Sequence, residues 1–405
     1  MSHRRVAITG VGLVTALGAT TEGSWSAMTA GACGIRPLQL FDSNGYRSTV
    51  AAEVPIDDVT RGFTALEKRR WSRSDQIGVA AAQQALDGSG LLQSDVRRDR
   101  VGVLLGAGTA DLLRNEDYFF TMVTAGTEHA RPSDVYQHFS STPVDVIATR
   151  FGLEGLRSCL VAACSSSTIA IGRAADAIRS GRLDAALAGG TDALARLTYS
   201  GFNALRLMDS GPCRPFDKAR AGMSIGEGAG ILVLEDMEQA RRRGAPILAE
   251  LAGYSLSCEA FHPTAPEPDG VAVAAMVSAA LRDARLDPAA VDHVNAHGTG
   301  TTQNDRAEAR GFRAVFGERA AHIPVTSIKS MVGHCLGAAG GVEAAALALT
   351  IARGVIPPTI NHTETDPECE VDVVQNTARE RPVKVGVSTS LAFGGNDSAL
   401  VMVGV

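Results

Sequence analysis

The stretch Val161-Ala162-Ala163-Cys164-Ser165-Ser166-Ser167-Thr168 decides how this chain is read. An apolar run from Leu160 to Ala163 leads into the cysteine. Residues 165–180 follow, small at first, then with Ile169, Ala174, Ala177 and Ile178 at helical spacing. That pattern puts Cys164 at a strand-to-helix turn, at the N-terminus of a helix. Unpaired N–H groups and the helix dipole there favour a thiolate, the reactive form of a thiol whose ordinary pKa is about 8.5. A small buried cysteine in a tight elbow fits the same letters, so the rest of the chain must arbitrate.

Around this elbow, apolar runs of strand length alternate with amphipathic stretches, the pattern of an α/β protein. Strands are expected at Arg5–Thr9, Val101–Gly106, Ala185–Gly189, Gly230–Glu235, Ala249–Ser255, His293–Ala296, Val383–Ser388 and Ser398–Val403. Helices are expected at Gln76–Asp87, Pro143–Phe151, Ser165–Ser180, Met237–Arg243, Val271–Ala284, Arg306–Phe316 and Gly340–Ala352. No short repeat is present, and a polar, basic segment around residues 236–248 is a candidate joint between two halves. Gly10-Val11-Gly12 follows the first strand, but the third glycine of a dinucleotide fingerprint is displaced and no acidic ribose ligand follows; a tight turn is expected there.

Composition narrows the class. The 405 residues are 45% apolar and 20% charged, with 43 glycines and a net charge of −6, enough for a large packed core and no field that would draw nucleic acid. Seven cysteines (33, 159, 164, 213, 258, 335 and 369) form no C-x-x-C pair and are odd in number, which points to reduced thiols and a cytoplasmic setting. The opening Met1-Ser2-His3-Arg4-Arg5 and the apolar residues after it superficially resemble a signal peptide. Glycines at 10, 12 and 18 break that run, and it is read as a first strand instead. No uninterrupted run of about 18 apolar residues is present, so no membrane span is expected.

Three further clusters carry chemistry. Val294-Asn295-Ala296-His297-Gly298-Thr299-Gly300-Thr301 places His297 at a strand end before a loop of glycines and hydroxyls, where it can give a proton or hydrogen bond to a developing oxyanion. His293 and His297 are four apart, but on a strand and without a third ligand nearby, so no metal is expected. Ser327-Ile328-Lys329-Ser330-Met331-Val332-Gly333-His334 sets a lysine and a histidine among apolar and small neighbours. There Lys329 reads as a fixed positive charge rather than a surface residue. Asp305 and Glu308 share a helix face, and Glu343 lies on the next helix; they would counter the lysine or orient the histidines, or else be surface carboxylates. Ser388-Thr389-Ser390-Leu391-Ala392-Phe393-Gly394-Gly395-Asn396-Asp397 closes a strand with a glycine turn around one aromatic, suited to presenting backbone N–H groups.

In this order the four clusters, with Arg214-Pro215-Phe216-Asp217 and Gly226-Glu227-Gly228-Ala229-Gly230, resemble the β-ketoacyl-acyl carrier protein synthases, condensing enzymes of the thiolase-like superfamily. The resemblance covers nearly the whole chain and is to elongation-type enzymes: ketoacyl synthase II or the ketosynthase of type II polyketide systems. It implies an α/β thiolase-like fold of two similar halves in a layered αβαβα core. Residues 1–245 would carry Cys164, and residues 246–405 His297, Lys329, His334 and Phe393. It implies Cys164 as acyl-accepting nucleophile, His297 and His334 as its two histidines, and Lys329 as the electrostatic lysine. Phe393 would be the gate whose N–H joins that of Cys164 in an oxyanion hole. Asp305, Glu308 and Glu343 would be the acidic support, and Thr264, Thr299 and Thr301 the contacts to a phosphopantetheine arm. Priming synthases pair cysteine with His and Asn, thiolases use a second cysteine, and chain-length-factor subunits lack the nucleophile. Cysteine with two histidines therefore implies decarboxylative elongation rather than a silent, pocket-shaping subunit.

The resemblance further implies an acidic acyl carrier protein as partner, no metal or organic cofactor, and a homodimer or a heterodimer with a ketosynthase-like or chain-length-factor subunit. The basic run Lys68-Arg69-Arg70 is a candidate docking patch for the carrier, a solvated helix start being the alternative. The chain departs from the family where Phe-Gly-Phe-Gly-Gly-Thr-Asn becomes Leu391-Ala392-Phe393-Gly394-Gly395-Asn396-Asp397, in the shortened segment 208–214, and at Thr109, a pocket position often filled by a bulkier aliphatic. These departures point towards a specialised polyketide or polyene pathway as much as to fatty-acid elongation.

Overall fold

The computed structural model describes residues 4–109, 112–135 and 139–405; Met1, Ser2 and His3 of the supposed leader lie outside them. Among the described residues, eleven strands build the main sheet: β1 (Val6–Val14), β2 (Val101–Gly106), β3 (Arg157–Leu160), β4 (Ala185–Asp192), β5 (Gly228–Asp236), β6 (Ala249–Cys258), β7 (His293–Asn295), β8 (Pro324–Thr326), β9 (Asp372–Val373), β10 (Val385–Ser390) and β11 (Asn396–Val403). Their spatial order is β9-β8-β7-β10-β11-β6-β1-β5-β4-β2-β3. The first five strands run 3-2-4-5-1. The later ones run 8-7-10-11-6, the same order with β9 added at the edge. The pairing senses match as well: β2 is parallel to β3 and β4, and β7 is parallel to β8 and β10, while β5 and β11 are each antiparallel to both neighbours in their own half. The halves join where β1 and β6 pair antiparallel through two residue pairs, Ala7 with Glu250 and Ile8 with Ala249.

Five helices matter for the site: α1 (Arg73–Ser89), α2 (Ser166–Arg179), α3 (Val271–Ala284), α4 (Thr302–Phe316) and α5 (Ala339–Arg353). Helices α2 and α5 lie between the two halves and touch strands of both, whereas α1 covers the outer face of the first half and α3, with α4 against it, covers the second. The result is an αβαβα stack. Its middle layer must be apolar all round, because sheets cover both of its faces. From Ala339 through Thr350, α5 is accordingly buried at every position. The segment Leu336–Arg353 is long and apolar enough to cross a membrane, and it is 83% buried as the core of this stack.

The strand-length runs are found where expected, mostly extended by one to five residues. The first differs in kind. Gly10 and Gly12 make no turn: β1 continues through them to Val14, with a bulge between Ile8 and Gly10. A Cβ at Gly12 would overlap the carbonyl oxygen of Ala81 on α1, and one at Gly10 that of Ala85. The glycines serve close approach of helix to sheet, which a local reading takes for a turn signal. All seven cysteines are free.

Candidate active site

Strand β3 ends at Leu160, and the chain then turns sharply so that Ala163 takes a left-handed conformation (φ +49°) and α2 begins at Ser166. The serines brace this elbow. Ser165 Oγ donates to Ala162 O (2.9 Å) and Ser166 Oγ to Ala163 O (2.6 Å), while the Ala162 N–H donates to Ser166 Oγ (2.8 Å). Cys164 thus stands at the start of α2, 8% exposed at the floor of a cavity of about 310 Å³.

The second half delivers its groups to the same point. Sγ of Cys164 and ring nitrogens of His297 and His334 all lie within 4.8 Å of one another, and the two imidazoles meet edge to face with centroids 5.3 Å apart. Lys329, 2% exposed, ion-pairs with Glu343, donates to His297 O (2.6 Å) and stands 3.2 Å from His297 Nδ1. An ammonium only donates, so His297 Nδ1 accepts and its proton sits on Nε2. The Leu336 N–H likewise donates to His334 Nδ1 (3.1 Å), which leaves His334 Nε2 as a donor, buried and without a partner among the described residues. Burial, and then the Lys329 charge, hold both imidazoles well below their ordinary pKa. The site therefore holds two neutral N–H donors beside a thiol, and the ammonium next to His297 opposes a bound cation. His293 turns elsewhere, its Nδ1 2.9 Å from Pro324 O.

The carboxylates divide their work differently from the sequence reading. Glu343 does counter the lysine. Glu308 holds backbone rather than a ring: it accepts from the His297 N–H (2.8 Å), the Gly298 N–H (2.6 Å), Thr389 Oγ1 (2.8 Å) and Asn304 Nδ2 (3.0 Å). Asp305 accepts from the Phe216 and Gly300 N–H groups (2.8 and 3.2 Å) and lies 3.6 Å from buried Arg220. All three are buried, so none is a surface carboxylate, and burial raises Glu308 and Glu343 to about 7.

Between β10 and β11 one tight turn carries Phe393, with Gly394 and Gly395 at positive φ. The Phe393 N–H points at Cys164 Sγ, and its ring leans on Phe202 (centroids 5.7 Å). The thiol itself departs from expectation. Desolvation pushes it up to about 11, with Lys329 and the Phe393 N–H pulling the other way. A helix start alone does not make a resting thiolate where the sulfur is this dry.

Thr264, Thr299 and Thr301 line the same cavity as Cys164, His297 and His334, and the hydroxyls of Thr299 and Thr301 are 2.9 Å apart. Lys68, Arg69 and Arg70 are exposed on the short helix Ala65–Arg70, away from the cavity lining. Thr109 is outside that lining too; its hydroxyl donates to Asp192 Oδ1 (2.8 Å). The sequence reading missed Phe202, Arg206 and Glu259, which line the same cavity; no local pattern marks them.

A thiol at a helix start, two neutral imidazole donors and a backbone N–H over the sulfur are groups that thiol-dependent acyl transfer can use, gathered on a duplicated α/β sheet. Comparison with known proteins is specific about the family. Residues 3–240 match the beta-ketoacyl synthase N-terminal domain and residues 248–363 the C-terminal domain, so the chain belongs to the β-ketoacyl synthase family, the condensing acyltransferases known as 3-oxoacyl-acyl carrier protein synthases. It is 37% identical to 3-oxoacyl-[acyl-carrier-protein] synthase 2 of Synechocystis sp. over 99% of this chain and 98% of the relative. To the tetracenomycin polyketide synthase ketoacyl synthase alpha subunit of Streptomyces glaucescens it is 38% identical, over 99% and 97%. Among solved structures, the ishigamide ketosynthase/chain length factor superposes with a TM-score of 0.95 at 37% identity, covering 100% of both chains. A type II polyketide ketosynthase in complex with its acyl-carrier protein, bound to the hexaketide, gives 0.92 at 33% identity, again over both chains in full.

Proposed function

We propose that this chain is the catalytic condensing subunit of a type II polyketide or polyene system, or of fatty-acid elongation, and that Cys164, His297, His334, Lys329 and Phe393 carry the reaction. The observation that carries this reading is the convergence of Cys164 Sγ with both histidines, each imidazole locked by an occupied Nδ1 into the tautomer whose Nε2 donates. In the first stage Cys164 attacks the acyl thioester on a carrier-protein arm. The Sγ–C bond forms, the arm's C–S bond breaks, and the thiol proton leaves with the arm's sulfur. The N–H groups of Cys164 and Phe393 hold the oxyanion. In the second stage malonyl-carrier protein enters past Thr299 and Thr301. Two neutral N–H donors stabilise the thioester oxygen as the C–CO2 bond breaks and its electrons form an enolate. That carbon attacks the acyl thioester, a C–C bond forms as the Cys164 Sγ–C bond breaks, CO2 departs, and the released thiolate takes up a proton from solvent.

The two-half division at about residue 245 accompanies this reading. The matching strand orders support it, with the nucleophile on one half and its acid–base partners on the other. We further assign the open edge of β3, flanked in sequence by exposed Leu156 and Val161, to a second ketosynthase-like chain, identical or a chain-length factor. An unpaired strand edge beside an apolar face invites sheet continuation.

Mass spectrometry after incubation with an acyl-carrier protein tests the central claim. An acyl adduct on Cys164, lost in Cys164→Ala, is expected. No adduct, even beside a co-expressed partner, would leave the silent pocket-shaping role instead.

A further inference from the structure

Two carboxyl groups at the base of the Phe393 turn play no part in the chemistry above. Asp397 is the second residue of β11, and Glu259 directly follows β6, its antiparallel neighbour. Both side chains line the cavity with Phe393, and they face one another within hydrogen-bonding reach. Their outer oxygens are occupied: Asp397 Oδ1 accepts from the Ala392 N–H (3.3 Å), and Glu259 Oε2 from the Glu267 N–H (3.0 Å). Their remaining oxygens, Glu259 Oε1 and Asp397 Oδ2, are buried and receive no N–H or O–H from any described residue. Two bare carboxylates in that arrangement repel. One proton between them turns the clash into a short, charge-assisted O–H···O bond.

The pair brackets the turn that carries Phe393. Asp397 holds the N–H of Ala392, the residue before it, and the Glu259 N–H donates to the carbonyl of Gly395, two residues after it (2.9 Å). The resembled family ends this motif in Asn, an amide that donates N–H at any pH. Asp397 donates only when protonated. Other titratable groups around the pair are Glu308 on α4, Cys258 at the end of β6 and, on the segment after it, His262 and Glu267. Of these, Glu308 adds to the negative charge. Burial, and then the Glu259 charge, push Asp397 up to about 8.

We propose that Glu259 and Asp397 are a proton-sharing latch that positions the Phe393 turn over Cys164, closed while one proton is held between them and released when that proton is lost. The inference rests on the reading of the Phe393 N–H as an oxyanion donor. Difference infrared spectroscopy of the full chain between pH 6 and pH 10 tests the latch without turnover. Besides bands that Glu308 and Glu343 lose nearer pH 7, it should show a protonated-carboxyl band lost with a midpoint of about 8, and that band should be absent from both Asp397→Asn and Glu259→Gln. Acyl transfer to Cys164 tests the positioning. The ratio of wild type to Asp397→Asn cancels ionisation of the thiol, and it should fall about tenfold from pH 7 to pH 9, as loss of one proton requires. A band that persists to pH 10, or that survives in both variants, overturns the shared proton. A normal infrared titration with a flat ratio overturns the positioning role, and neither result depends on whether Cys164 goes on to condense.

Discussion

The elbow at Cys164 has a counterpart in the second half. Ala163 and Leu336 both take left-handed conformations (φ +49° and +50°), and in each case the central helix begins three residues later, at Ser166 and at Ala339. Cys164 therefore corresponds to Gly337. The two positions share a backbone device but not a role. Cys164 opens on the cavity. Gly337 is buried against the first half: its N–H donates to Asp192 Oδ2 (2.8 Å), its carbonyl accepts from Ser167 Oγ, and a Cβ there would overlap the backbone of Ala107 and Gly108. The connections into them also differ. From Leu160 to Cys164 the chain advances four positions, whereas from Thr326 to Gly337 it advances eleven, and the longer route contains Lys329 and His334. The lesson is that the strand–turn–helix elbow is scaffold. One copy is left open with Cys164 on the cavity, and the other is closed and lengthened so that its approach brings Lys329 and His334 towards that thiol.

Variants at the two elbows should separate chemistry from packing. Cys164→Ala should reduce condensation by at least about 10⁴-fold, since the covalent step has no substitute, while thermal melting moves little because a buried Cys→Ala costs on the order of 1 kcal/mol. Equal losses of stability and activity would break the comparison. Lys329→Met removes the approach's central charge. It strands Glu343 in the core and frees His297 Nδ1, so denaturant unfolding should register a loss of about 3–5 kcal/mol, and Lys329→Met with Glu343→Met should recover part of it. Gly337→Ala should do the reverse of Cys164→Ala, costing about 1–3 kcal/mol by overpacking while the surviving folded protein still accepts acyl groups on Cys164.

Two smaller effects sharpen the picture. If burial outweighs the helix start at Cys164, alkylation by iodoacetamide should rise about tenfold per pH unit between 7 and 9, because the thiol is still far from ionised; a plateau near neutral pH would mean that the dipole wins. Last, Arg69→Glu with Arg70→Glu should raise KM for the carrier protein a few-fold with kcat unchanged, as rim charges do. An unchanged KM would remove that patch from the docking surface.

The α/β alternation and the four chemical clusters were legible from local spacing, because a buried strand needs a continuous apolar run and a strand-to-helix turn needs small residues. Local pattern marked Cys164, His297, Lys329, His334 and Phe393 as candidates, and the roles proposed for them came from the resemblance to the condensing enzymes. Gly10 and Gly12 misled, since the contact that requires them comes from Ala81 and Ala85, some 70 residues away in sequence. Asp305 and Glu308 were placed correctly on a helix face, yet what they hold, the backbone of the 297–300 loop and of Phe216, follows from how that loop folds back over them.

What the sequence determined by itself was a set of candidate residues and the helix start at Cys164, both set by short-range pattern. Only the tertiary structure decided the protonation of that site. Burial makes the cysteine a resting thiol, the occupied Nδ1 atoms make both histidines Nε2 donors, and the ladder between β6 and β11 brings Glu259 against Asp397. The reason is that desolvation and hydrogen-bond partners act through space, between residues whose separation along the chain carries no trace of it.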